Sequence, residues 1–319
     1  MTLLSRPYLV YPLALLCISS TSSASEEAFQ SIQLAVTQQS QDFDFSDSTT
    51  SLNVWGMSGQ YQYGQGPWNF ILGYQQGDAA DGGSNTERRY SLDFERQGYS
   101  AFVEYYFESI WLALGYAQSE DKTTYSYISQ DRNNNSEEPT NSDFKDNNQV
   151  NYDSFTLESG YSYYTESGQF NIALGLTKQE VDENLRNTEF ERINGELKAE
   201  PPTSYNINES GILSSLSLGY GHLINISETL RLSLNLGLRR EVTLSGEGRI
   251  QETSRFQGAS NNSPETSSDL QAISQTASTS QQGRISLQHP RASLSLSVDK
   301  LSDQSFSNAY FSAGVSWNF

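Results

Sequence analysis

The sequence is poor in the residues that carry most enzyme chemistry. It holds one cysteine, Cys17, and two histidines, His222 and His289. Cys17 sits in an apolar run near the start, so the remainder of the chain can build no disulfide framework. Scarce histidine removes the commonest general base and metal ligand. No Gly-x-Ser-x-Gly elbow, His-Glu-x-x-His pair or cysteine pair occurs, and a nucleophile needs a base within about 3 Å. The chain is therefore not expected to be an enzyme, and no cofactor, catalytic residue or metal-ligand set is expected.

Positive charge is also scarce. There are 19 Lys and Arg against 38 Asp and Glu, a formal net charge of −19. That balance argues against nucleic acid or anionic lipid as partners. Much of the acid lies in polar stretches, around residues 41–48 and 136–146, which read as solvated connections. Asp42, Asp44 and Asp47, and further on Asp143 and Asp146, offer oxygen ligands for a hard cation. Their spacing matches no EF-hand; external acids of this kind could also bridge to lipopolysaccharide through divalent ions.

Long apolar runs are missing too. The longest spans residues 8–18, follows Arg6, and leads into small residues ending at Ser25. A positive start, a short apolar core and a small-residue exit make a secretory signal peptide, cleaved after Ala24 or Ser25. A membrane helix would need roughly 20 apolar residues. A lipoprotein anchored at Cys17 is disfavoured because Leu16 precedes it where a small residue is wanted. The expected division is residues 1–25 as signal and residues 26–319 as one all-β domain.

What the chain does have is alternation. Side chains of a strand alternate faces with period two, and amphipathic segments of that period recur from residue 32 to the end. The cleanest places Leu230, Leu232, Leu234, Leu236 and Leu238 against Arg231, Ser233, Asn235, Gly237 and Arg239. Another places Ile110, Leu112, Leu114 and Tyr116 against Trp111, Ala113, Gly115 and Ala117. Around Gly98 the apolar parity shifts: Leu92 and Phe94 precede it, Ala101, Val103 and Tyr105 follow, and a β-bulge is the expected cause. Tight turns such as 64–67, 108–109, 165–168 and 289–290 alternate with long polar stretches. The count is twelve strands, with ten to fourteen as the range. Mean hydropathy is −0.58, which is no obstacle to membrane insertion, because lipid-facing and lumen-facing residues cancel in the average. Aromatics such as Tyr61, Trp68, Tyr105, Tyr163 and Trp317 cluster near the turns, as in an interfacial girdle.

The last strand is the most telling. Phe311, Ala313, Val315, Trp317 and Phe319 share one face, and the chain stops on Phe319. This resembles the final strand of bacterial outer-membrane β-barrels, which in that family ends on Phe and is read by the barrel-assembly machinery. Phe311, Val315, Trp317 and Phe319 would be that signal. The layout from about residue 30 onward resembles the β-domain of autotransporters, in rhythm and composition, or a small twelve-stranded porin. The resemblance implies a transmembrane antiparallel barrel in the outer membrane of a Gram-negative bacterium, with short periplasmic turns and long extracellular loops. Too few residues separate the expected cleavage site from the first strand to encode a passenger, or a plug helix of roughly 17 residues.

On that map the inward charges are Glu104 and Glu158 on one wall and Arg231, Arg239 and Arg284 on the other. They form a candidate lumen constriction, either a transverse field at a narrow pore or a paired network that closes the lumen. The expected function is a porin-like passive channel for small polar solutes. The alternative is a passenger-less, autotransporter-like barrel whose extracellular loops bind a surface or partner. Membrane lipid and lipopolysaccharide, the assembly machinery and small solutes are the expected partners.

Overall fold

The computed structural model describes residues 28–45, 48–84, 88–129, 143–193, 196–199, 202–254, 266–270, 277–301 and 309–319. The expected signal peptide and Asp47 lie outside them, as do the side chains of Asp42, Asp44 and Asp143. The described residues hold fourteen strands and no helix: β1 (Phe29–Phe45), β2 (Ser48–Gln65), β3 (Trp68–Ser84), β4 (Arg88–Phe107), β5 (Ile110–Ser129), β6 (Asp143–Tyr164), β7 (Gly168–Ile193), β8 (Glu196–Ala199), β9 (Thr203–Asn225), β10 (Arg231–Ser254), β11 (Thr266–Leu270), β12 (Ala277–His289), β13 (Ala292–Leu301) and β14 (Tyr310–Asn318).

Twelve of them form a closed antiparallel barrel, as the alternation predicts. Neighbours in sequence pair around the ring, β7 joins β9, β10 joins β12, and β14 returns to β1 through Ser31↔Asn318 to Gln39↔Tyr310. The short strands β8 and β11 pair only with β7 and β10, outside the ring. Closure leaves no free sheet edge, which is the condition for placing strands in lipid.

Outward side chains form an apolar belt. Ile110, Leu112 and Leu114 on β5, Phe170, Ile172, Leu174 and Leu176 on β7, and Leu294 and Leu296 on β13 are all well exposed. In water such a surface would be an aggregation site; around a closed barrel it is the lipid-facing band. Aromatic contacts mark its turn-side border, with Trp68 against Tyr105 at 4.8 Å and Phe170 against Tyr220 at 4.6 Å between ring centroids. The turns at this end are tight. Gly66 adopts φ 57° and Glu108 φ 53°; the left-handed region costs Glu108 about 1 kcal/mol that glycine would not incur.

At the other end the structure departs from the sequence reading. The polar stretches expected as loops are largely strand. β5 runs on to Ser129, β7 to Ile193 and β10 to Ser254, with β7 reaching 26 residues. A membrane crossing needs about 10 residues, so these strands continue well beyond the belt. Above the lipid neither face needs to be apolar, so the alternation fades while the backbone ladder persists.

The expected bulge at Gly98 is absent. β4 pairs without interruption, Gly98 with Gln75 on β3 and with Ser119 on β5. Leu92 and Phe94 therefore stay on the inner face, where they are 0% and 1% exposed and pack with Leu52, Val54 and Tyr125. The parity shift reflects a change in wall chemistry: above the belt it is the inside of the barrel that is apolar here. Arg96, one step below, stacks 5.3 Å over the Phe94 ring and makes paired 2.8 Å hydrogen bonds to Asp121. The register shift that does occur lies in β10, between Thr243 and Ser245.

Two predictions follow from this packing. The Trp111 ring lies flat over Gly160, so that a Cβ there would overlap the indole, whereas one at Gly59 would meet only Leu34 Cδ2 at 3.5 Å. Gly160→Ala should destabilise the barrel by about 1–3 kcal/mol and Gly59→Ala by much less, read as urea midpoints of the heat-modifiable folded band. Beyond the belt, the Asp146 carboxyl is raised from 3.8 to about 6, chiefly by burial, an Asn187 hydrogen bond opposing the rise and Glu189 adding to it. A raised acid favours the fold most below its unfolded pKa and loses that contribution as pH rises through the folded value. The urea midpoint should therefore gain more on going from pH 7 to pH 4 in the native protein than in Asp146→Asn.

Candidate functional site: the polar lumen

Within the belt the inner face is polar. On the turn-side half it encloses a cavity of about 590 Å³ that reaches from turn residues Glu228 and Pro290 up to Arg239, Asp299 and Tyr310. Its wall carries hydroxyls and amides, among them Gln60, Gln169, Asn171 and Gln288, with Phe29, Tyr106, Trp111, Tyr164 and Tyr310 as bulky members. Small residues line it from several strands, among them Ser162, Ser217 and Ser286; on β13 and β14, Ser293 and Ser316, and Ser297 and Ser312, pair by 2.7 Å hydroxyl hydrogen bonds.

The cavity ends against a charged layer. Arg239 on β10 donates from Nε to Glu241 Oε1 at 3.0 Å and from Nη1 to Glu158 Oε2 at 3.5 Å. Glu158 belongs to β6, separated from β10 by β9 and β7, and the guanidinium reaches it because those two strands present only Ser215, Ser217, Ala173 and Gly175 beneath it. Both ends are well buried, with side-chain exposures of 14% for Arg239 and 8% for Glu158. Asp299, on β13, accepts from Gln282 Nε2 at 2.9 Å. Glu104 is handled without a cation: Asn69 Nδ2 donates to its Oε2 at 2.6 Å, the Tyr106 hydroxyl donates at 2.8 Å, and Gln62 steadies Asn69 at 3.0 Å.

Of the five candidate constriction residues, the structure thus brings Glu158 and Arg239 together in this layer. Glu104 stands on the same hydrogen-bonded row as Glu158, joined through Ala113. Arg231 and Arg284 lie lower and line the cavity. Glu241 and Asp299 were missed as members of the layer, although Glu241 shares the parity of Arg239 two residues away. Arg96, which also donates to Gln39 at 3.2 Å, was missed because the expected bulge put it on the wrong face. Of the expected assembly residues, Val315, Trp317 and Phe319 face outward and exposed on or just after β14, and Phe311 is half-buried. His222 lies near the turn-side end of β9, its Nδ1 3.1 Å from the Tyr220 hydroxyl, and His289 ends β12.

No protein-family model matches the chain, and no curated protein matches it. Its fold does match solved structures. The translocator domain of the autotransporter NalP from Neisseria meningitidis superposes with a TM-score of 0.56 at 10% identity, over 95% of this chain and 92% of that one. The β-domain of the Bordetella autotransporter BrkA gives 0.47 at 11% identity, covering 91% and 99%. The toluene transporter TodX of Pseudomonas putida gives 0.43 at 10% identity, covering 92% and 90%. The chain has the fold of an outer-membrane β-barrel, and the NalP match carries that statement.

Removing Arg239 leaves Glu158 and Glu241 buried without their cation. Arg239→Ala should cost about 3–5 kcal/mol of stability, because an orphaned buried charge is worse than none. Adding Glu158→Gln to Arg239→Ala should recover part of that loss in urea unfolding.

Proposed function

We propose that the protein is a porin-like passive channel for small polar solutes in the outer membrane of a Gram-negative bacterium. The polar cavity ending on the Arg239 layer carries this reading. A lumen whose wall carries many hydroxyls and amides suits water and polar solutes, and a layer of opposed charges at its upper end orders them. Glu104, Glu158 and Arg239, with Glu241 and Asp299, set the constriction; Arg231 and Arg284 line the approach. The chain is exported through cleavage of residues 1–25. Phe311, Val315, Trp317 and Phe319 form the surface that the assembly machinery reads, and the protein performs no chemistry of its own.

A second reading is favoured by the strands that continue past the belt. An autotransporter-like barrel would use that extension, rather than its lumen, to bind lipopolysaccharide or a partner surface.

Single-channel recording of the refolded protein in a planar bilayer separates the two. Steady discrete openings that grow severalfold in Arg239→Ala support the channel. A silent bilayer from barrels that still run as the folded, heat-modifiable band, for both the native protein and Arg239→Ala, removes the channel reading and leaves the extension as the functional surface.

A further inference from the structure

Two arginines of the cavity take no part in the charged layer. Arg231 on β10 and Arg284 on β12 both line the cavity, and neither has an ion-pair partner among the described residues. Arg284 pairs across the sheet with Asn235, four residues above Arg231, and Arg239 follows four residues higher on the same strand. At about 3.3 Å per residue the three positions climb one wall in steps of about 13 Å. In a chain with 19 bases against 38 acids, this wall inverts the prevailing sign. The acids that share the cavity are Asp299, already held by Gln282, and Glu228 in the turn at its mouth.

The surroundings narrow the ligand further. Side-chain amides flank the arginines, Gln288 opposite Arg231 and Asn235 opposite Arg284. An amide both donates and accepts, which suits hydroxyl groups, whereas a guanidinium only donates and matches an oxyanion in bidentate geometry. The volume of about 590 Å³ lies within the range of roughly 300–1,000 Å³ typical of small-molecule sites.

We propose that this turn-side cavity binds a small polyhydroxylated oxyanion of sugar-acid size, its acid group on Arg231 or Arg284 and its hydroxyls on the side-chain amide beside that arginine. This rests on the lumen-solute reading above and names the solute class. The test is calorimetric titration of the folded protein in detergent micelles with D-gluconate and with D-glucose. It is run at about 0.15 M salt, where unspecific attraction is screened beyond about 8 Å. Saturable gluconate binding is expected, with glucose at least about tenfold weaker and one of Arg231→Gln and Arg284→Gln, the one that removes the arginine holding the acid group, weakening gluconate about tenfold. Arg284→Glu should abolish it, all variants being checked for the folded band. Equal affinity for gluconate and glucose, no binding of either, or gluconate binding that survives all three substitutions in folded protein would overturn the proposal. The outcome is independent of conductance: a silent barrel that binds gluconate removes the channel and keeps the site, and a conducting barrel that binds neither solute does the reverse.

Discussion

In hydrocarbon a backbone amide or carbonyl without a partner costs several kcal/mol, and everything else in this molecule depends on meeting that demand. The pairing of β14 with β1 meets it for the last free edge. Once the sheet is closed, each strand has one face toward lipid and one toward the lumen. The leucines of β5, β7 and β13 are then placed by the solvent around them rather than by a core. The conventional interior is small: within the belt the buried apolar groups are few, such as Trp111, Ala113 and Ala173. The chain can therefore carry a strongly negative mean hydropathy and still live in a membrane.

The inner wall is governed by a second demand, that charge taken from water be neutralised or hydrogen-bonded. The two acids of the middle layer meet it differently. Glu158 has a cation reaching to it across two strands of small residues; Glu104 has an asparagine, a tyrosine and behind them a glutamine. The first arrangement spans part of the lumen; the second stays against the wall. The composition of β7 and β9 makes the difference, since larger side chains at Ala173, Gly175 or Ser215 would stand in the path of the Arg239 side chain.

The closed twelve-strand barrel was legible because lipid contact imposes a strict period of two, nowhere more openly than in the five leucines that begin at Leu230. Legibility ended where the lipid ends. Beyond the belt, residues such as those of β7 from Lys178 to Ile193 keep their ladder without an apolar code, so strand and loop look alike in sequence. Leu92 and Phe94 misled for a related reason. Alternation states which residues share a face, not whether that face is inside or outside. The lumen charges of β6 and β10 sit on alternating positions that a single strand shows, but their pairing depends on barrel curvature and on how far a guanidinium extends over small neighbours, which no single strand records. The β10 shift near Thr243 left no trace, since Ser245 to Gly248 carry no apolar side chain whose parity could reveal it.

The register of the seam has a consequence for how the barrel is made. Nearly every strand pair around the ring joins segments adjacent in the chain, so ten or so hairpin contacts can form locally and early. The seam is the exception: it brings Ser31 to Asn318, close to the largest loop this chain can close. Loop-closure entropy rises only logarithmically with length, but none of the seam contacts can form until the whole curved sheet is in place to present both edges together. Assembly should therefore behave as a progressive zipping followed by one abrupt, all-or-none locking step, with the open sheet as the most vulnerable species on the way.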